Sequence, residues 1–392
     1  MDLFPKASGT RPRVACEISP QGVVAARSAA AEGPIEAVAR VLLAQGAVLP
    51  GLKPGNVVDR VAVAAAVRRA MEQVGERSAG RGGEAISLVI PDAAVRVLLL
   101  EFESLPTKLT EALPLVRFRL KKLVPFEPDE AMVSYQVMST SRNLVRVLAV
   151  AIPRDVLSEY ETAVREAGFE PGAVLPSTLA SLAVLEGEEP SLVVNANPLG
   201  VTTAIVRSGI LLLHRCVDLQ DHTATTATPI AAAAPVVVLP VALPIVSTEE
   251  TAAEWAAQEP LPEHGRNPYA DQITAEAAVQ SFDAVGGDEG PVRNAGAAQD
   301  LQPVPLAAEI AQAVSVAAAY FEDTLAQVPT EVLSAGPLGA DRLSRILVEQ
   351  GIAEADGVRV RELVTAAALA AEASTATAPR AWLSGVAGAL RG

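Results

Sequence analysis

Residues Ser191–Arg215, SLVVNANPLGVTTAIVRSGILLLHR, decide the fold. The run reads as an apolar strand at Leu192–Val194, a turn at Asn197-Pro198-Leu199-Gly200, a returning strand at Thr202–Val206 and a second turn at Ser208-Gly209. Turn residues between β-branched runs are the signature of a hairpin. Four polar side chains, Asn195, Asn197, Thr202 and Thr203, sit within or beside the apolar runs. An amide at 195 can accept a hydrogen bond from metal-bound water, but it brings neither a general base nor negative charge.

Before the hairpin the pattern is mixed α/β. Arg13–Ile18 and Gly22–Arg27 read as paired strands, and Val58–Val74 as a helix with Val61, Ala65, Val67, Ala70 and Val74 on one face. Ala85–Ile90 and Val95–Phe102 read as strands around a turn at Pro91-Asp92. A helix capped by Thr107 follows, with Leu109, Leu113, Val116, Leu120 and Leu123 at helical spacing and Pro114 inside it. Two strands, Ala131–Met138 and Leu144–Ile152, precede helices at Asp155–Ala167 and Ser177–Leu185. This order suggests a small α+β subdomain over 103–173.

After the hairpin the chain changes character. Residues Asp221–Val304 carry 12 acids against two arginines, which is −10 of the chain's net −15, together with nine prolines and long Ala/Thr runs. Such a composition predicts a long disordered insertion, with short helices at Glu250–Gln258 and Ile273–Phe282 at most. Within it, PIAAAAPVVVLPVALPIV at 229–246 is apolar enough to suggest a membrane span, but its four prolines argue for an extended linker. Regular structure resumes with a helix over Leu306–Val328, a strand at Glu331–Ser334, a helix at Asp341–Gln350, a strand at Gly357–Val360 and a helix at Ala381–Leu390.

Composition narrows the function classes. The chain has 392 residues, enough for two or three domains, with half its residues hydrophobic but only 3% aromatic. A net charge of −15 disfavours nucleic acid as a partner. Cys16 and Cys216, in apolar strand context, read as two buried reduced thiols. The first residues, MDLFPKASGTRPRVACEI, show no apolar secretory segment. His214, His222 and His264 have no ligand spacing for zinc, and neither a P-loop nor a nucleophile elbow is present. The one dense basic cluster, Arg117, Arg119, Lys121 and Lys122, could meet an acidic peptide or anionic lipid, or form a solvated face balanced by Glu127, Asp129 and Glu130.

The segments Phe102–Val137 and Val145–Leu182 carry a more specific signal. The Leu105-Pro106 lead-in, the Val124-Pro125-Phe126 stop, Tyr135-Gln136-Val137, the Val147–Ile152 strand and the Ala167-Gly168-Phe169 helix end occur in an order that resembles the PilM family of type IV pilus assembly proteins. The stretches Ser191–Arg215 and Leu306–Leu347 and the terminal WLSGVAGALRG resemble the same family. The resemblance implies an α/β, actin-like two-lobed fold. A first lobe would span 1–190 with the small subdomain at 103–173 inserted. A second lobe would span 191–392, interrupted at 221–304 by the acidic insertion.

The resemblance also implies three nucleotide loops. The first would hold Glu17, Ser19 and Gly22, but Pro20 removes an N–H and Val24 stands where a lysine is expected, so an ordinary edge hairpin is the competing reading. The second would hold Asn195, Asn197, Thr202 and Thr203, with an amide where the family has an acid. The third, Leu333-Ser334-Ala335-Gly336-Pro337-Leu338-Gly339, would hold Ser334, Ala335 and Gly336, with two of the family's glycines replaced.

All three loops are degraded. The expectation is therefore a cytoplasmic adaptor at the inner face of the inner membrane, not itself membrane-spanning. It would bind the cytoplasmic tail of a PilN-like membrane protein, and other pilus assembly components with it, with no catalytic residue, no metal site and no certain cofactor. The alternatives are a nucleotide-gated or active ATPase of the same fold, using ATP with Mg and Glu17 as the surviving acid, or a GspL-like component of type II secretion.

Overall fold

A computed structural model describes residues 12–30, 33–76, 85–219, 304–352, 359–370 and 378–391. All of these fall in one compact unit. The expected disordered insertion at 221–304, its two short helices and the proline-punctuated run lie outside the described residues, apart from Val304.

Two five-stranded sheets repeat one plan. The first has the order β3-β2-β1-β4-β8, from β1 (Val14–Ser19), β2 (Gly22–Ser28), β3 (Ile35–Leu42), β4 (Ala85–Ile90) and β8 (Glu170–Pro176). Its first three strands are antiparallel, and β4 and β8 continue in parallel. The second has the order β11-β10-β9-β12-β13, from β9 (Ser191–Asn197), β10 (Gly200–Arg207), β11 (Ile210–Asp218), β12 (Glu331–Ala335) and β13 (Arg359–Glu362). Again a three-stranded antiparallel meander is followed by two parallel additions. The quoted hairpin is thus the first two strands of the second meander, and its partner β11 begins at the Ser208-Gly209 turn.

β1 is the central strand of its sheet, so Glu17 is not on an edge hairpin. Strands β3 and β8 are additions to the sequence reading. The expected strands on either side of Pro91-Asp92 are β4 and β5 (Arg96–Phe102), and the 3-10 turn at Asp92–Ala94 between them sends the chain into a separate sheet.

That third sheet, β5-β7-β6, is antiparallel and includes β6 (Ala131–Ser141) and β7 (Leu144–Pro153). Helix α2 (Leu109–Leu120) packs on it around a core of Leu100, Val116, Leu120, Val133 and Val147. Thr107 does not cap α2; the cap position is Lys108, with no side-chain bond to the helix. Leu109 and Leu123, expected on the buried face, are exposed. In the basic cluster, Arg117 turns inward to donate to the Pro128 and Ala131 carbonyls, and Lys121 pairs with Glu127 at 3.2 Å.

Helices α1 (Arg60–Gln73) and α3 (Arg154–Glu166) pack together beside the first sheet. Asp59 caps α1, its carboxylate accepting from the Ala62 N–H at 2.9 Å. The buried face of α1 is Val63, Ala66, Val67, Ala70 and Met71, and Val61 is outside it, 80% exposed. On the second sheet, α5 (Val304–Leu325) and α6 (Ala340–Glu349) cover one face, with Ile310, Val314, Ala317 and Phe321 buried as the spacing predicts.

The opposite face of the second sheet supplies Val193, Ala204, Val206, Leu333 and Ala335 to the same apolar cluster that fills the first sheet. Helices α4 (Ser177–Leu182) and α7 (Ser384–Arg391) cross within this shared core. Glycine is required at their crossing, since a Cβ at Gly388 would lie 1.7 Å from the Ala180 carbonyl oxygen. Among the described residues no helix is long and apolar enough to cross a membrane.

Candidate functional site

One small cavity is lined by residues in or just after β1, β4, β9 and β12, together with Ser177 of α4. Glu17 on β1 accepts a hydrogen bond at 2.6 Å from the Ser177 hydroxyl at the start of α4. Its other oxygen lies over Gly385, where a Cβ would come within 2.4 Å of it. Asn195 on β9 donates to the Ser177 hydroxyl at 3.1 Å and to the Thr178 hydroxyl at 3.0 Å, with Asp92 at 3.5 Å. Asp92 accepts from the Thr178 N–H at 3.0 Å and from the Thr178 hydroxyl. The Asn195 carbonyl oxygen rests on Gly336, where a Cβ would meet it at 2.2 Å; Gly336 has φ +119°, a backbone conformation that favours glycine.

The other expected residues divide. Ser19 donates to the Gly22 carbonyl at 2.8 Å and closes the turn over Pro20. Gly22 is needed for sheet packing, since a Cβ there would be 2.5 Å from the Val41 carbonyl oxygen. Asn197 accepts from the Leu199 N–H at 2.8 Å and shapes the β9–β10 turn. Thr202 faces the cleft beside Cys216. Thr203 points to the other side of the strand, the face covered by α5, by the twofold alternation of a strand; its buried hydroxyl has no partner. Ser334 and Ala335 are buried in β12 and do not line the cleft. Cys216, expected to be buried, is half-buried there, whereas Cys16 is fully buried; both are free thiols.

Sequence reasoning missed Asp92, Ser177, Thr178 and Glu362. Asp92 could have been found as the acid that ends the apolar strand Ile86–Ile90, and Ser177 as the hydroxyl after Pro176 that opens a helix. Glu362 on β13 accepts from the Ala340 N–H at 2.8 Å, which places a carboxylate at the N-terminus of α6, directly after the third loop. That is where a helix offers its N–H groups to an anion.

The cavity is lined by carboxylates, hydroxyls and amides without a lysine or arginine. Burial pushes the Glu17 carboxyl up to about 7; the Ser177 hydroxyl opposes this and the Asp92 charge adds to it. Burial also raises Glu362, against the Ala340 N–H, and pushes the Cys216 thiol up to about 12. The space left between these groups is about 40 Å³, lined by Glu17, Asp92, Ser177, Asn195, Thr202 and Cys216 among others, with no lysine or arginine. That volume holds about one water molecule, whereas small-molecule sites run to about 300–1,000 Å³. Among the described residues no cluster of three metal-ligating side chains occurs. In this arrangement the cavity is smaller than a triphosphate and offers its phosphates no lysine or arginine.

Comparison with solved structures matches the fold over nearly the whole chain. The structure of a PilM–PilN type IV pilus biogenesis complex superposes with a TM-score of 0.64 at 13% identity, covering 97% of this chain and 98% of that one. The chain has the actin-like fold. More distant similarity extends to the ethanolamine utilization protein EutJ of Carboxydothermus hydrogenoformans (TM-score 0.41, 11% identity, 100% of this chain and 92% of that one). It extends also to the cytoplasmic domain of EpsL, an inner-membrane component of the type II secretion system of Vibrio cholerae (TM-score 0.34, 12% identity, 52% and 70%). No family model matches the sequence, and no curated protein does. Within the actin-like fold, then, this chain has a cleft occupied by its own side chains.

Proposed function

We propose that the protein is a scaffold rather than an ATPase: a cytoplasmic adaptor of type IV pilus assembly that binds the tail of a PilN-like inner-membrane protein. The observation that carries this is the contrast between two cavities. The interlobe cleft retains about 40 Å³, whereas an open groove of about 920 Å³ runs between the 54–61 segment and α3. The groove presents the exposed Val58 and Val61 beside the carboxylates of Asp59 and Asp155, and its one basic lining residue, Arg60, is paired with Glu166 at 3.1 Å. Glu159 fixes its wall by accepting from the Gly55 and Val57 N–H groups at 2.6 and 2.9 Å.

Apolar side chains flanked by acids suit an extended peptide that carries hydrophobic and basic residues. Cytoplasmic segments next to membrane spans are enriched in lysine and arginine. The structure with the matching fold is itself of a PilM–PilN complex, which supports a partner of that kind.

Titration calorimetry with a synthetic PilN-like cytoplasmic tail tests the reading. The full chain is expected to bind, and Val61→Glu with Asp155→Arg to weaken binding at least tenfold while leaving the fold intact. Wild-type affinity in that double variant would remove the groove from consideration. Binding and turnover of Mg-ATP that is abolished by Glu17→Ala would favour the ATPase reading instead.

A further inference from the structure

We propose that the outer face of α2 is a docking surface for an anionic lipid bilayer, with Phe118 and Leu115 entering the interface and Arg119 and Lys122 meeting the headgroups. Within Leu109–Leu123 four cations stand against one carboxylate, in a chain whose net charge is −15. The segment is therefore opposite in sign to the chain that carries it. The structure divides its cations by task. Arg117 turns inward to the Pro128 and Ala131 carbonyls. Lys121 is paired with Glu127 at 3.2 Å, and Lys108, just before the helix, with Glu111 at 3.3 Å. Arg119 and Lys122 are exposed and have no carboxylate partner among the described residues. Asp129 and Glu130, on the turn into β6, pair with neither of them.

Apolar side chains stand on the same face. Val116 and Leu120 define the inner side of α2 by their burial against the third sheet. Spacings of three and four residues put Leu115, Phe118 and Lys122 together on the opposite side, with Arg119 flanking them. Leu115 is exposed and Phe118 is 71% exposed. A phenyl ring that projects from a convex helix surface needs a matching pocket in any rigid partner. A bilayer interface is fluid and closes around whatever protrudes. An apolar ring beside long cationic side chains is suited to that boundary, the ring towards the acyl chains and the cations towards the phosphates.

The energetics make the contact weak, reversible and oriented. Each cation near an anionic leaflet raises partitioning by roughly fivefold. The attraction reaches about one Debye length, which is about 10 Å at 0.1 M salt. Two free cations and one ring therefore hold the chain to a surface without anchoring it. The negative charge elsewhere on the chain is repelled by the same surface, so α2 is the face turned towards the lipid.

Co-sedimentation of the full chain with vesicles tests this. Vesicles of phosphatidylcholine with an equal share of phosphatidylglycerol are compared with phosphatidylcholine alone, at about 0.05 M and about 1 M salt. Binding is expected to the anionic vesicles at low salt and to fall to the phosphatidylcholine level at high salt. Arg119→Glu with Lys122→Glu should weaken partitioning about tenfold or more, and Phe118→Ser about fivefold without changing urea unfolding. Arg69→Glu with Arg345→Glu makes the same charge change at exposed sites on α1 and α6 and should stay within about twofold of the wild type. No binding to anionic vesicles, wild-type partitioning in either α2 variant, or an equal loss in the α1 and α6 control would overturn the proposal. Capture by soluble polyglutamate that Phe118→Ser leaves intact, with no vesicle binding, would assign the face to an acidic protein instead. The vesicles carry no peptide, so this surface and the groove fail separately.

Discussion

Asn195 is the residue on which the reading of the cleft turns, because both ends of its carboxamide are committed. The amino group serves two hydroxyls and the oxygen is pressed against Gly336. A carboxylate cannot donate either bond, and it would add a negative charge beside Asp92 and Glu17. Asn195→Asp should therefore cost about 2–3 kcal/mol at pH 7, measured by urea unfolding, and less at pH 5 as the new acid takes up a proton. Gain of Mg-ATP binding by this variant would show instead that only one atom separates the chain from a working site. At this scale the sequence was half legible. Glu17 and Asn195 stand in recognisable stretches, and their replacement chemistry could be read directly. Asp92 and Ser177 carry only faint local marks, a strand end and a helix start, because their contacts with Thr178 and Glu17 close across 86 and 160 residues. Thr203 shows the opposite error: a neighbour of Thr202 in sequence is its opposite in space.

Among the elements, α2 separates what helical spacing reveals from what it hides. Val116 and Leu120 are fully buried, as their spacing predicts, but Phe118 is 71% exposed on the outer face. Leu120→Ala should cost about 2–5 kcal/mol by leaving a cavity over the third sheet, whereas Phe118→Ser should change stability by no more than about 0.5 kcal/mol. Paired denaturant titrations check both, and a large loss from Phe118→Ser would mean that this face is covered. The strands show why the reading was incomplete. β8 is spelled EPGAVLP, and its two prolines and glycine mimic a loop. It is tolerated because β8 lies at the edge of the first sheet, where a missing N–H need not break a ladder on both sides. β3, spelled IEAVARVL, is hidden because it does not alternate cleanly, whereas the hairpin at 191–215 is clear because turn residues bracket its apolar runs.

For the whole molecule, the repeated sheet plan was visible in the sequence only through family resemblance, since the two copies share order and direction of strands rather than residues. The structure adds the state of the space between them. A cleft with room for about one water predicts that 1 mM Mg-ATP leaves the thermal midpoint unchanged, by scanning calorimetry or dye fluorescence. A ligand present at a hundred times its Kd would add about 2.7 kcal/mol, so a midpoint rise of several degrees would contradict a filled cleft.

The crossing of α4 and α7 has a mechanical consequence. Backbone meets backbone at Gly388 and Ala180, so the helices have no slack in which to slide past one another. Ser177 and Gly385 each stand three residues from that point, about 4.5 Å along a helix axis. The carboxyl of Glu17 is therefore held within one helical turn of a contact from which neither helix can slide away.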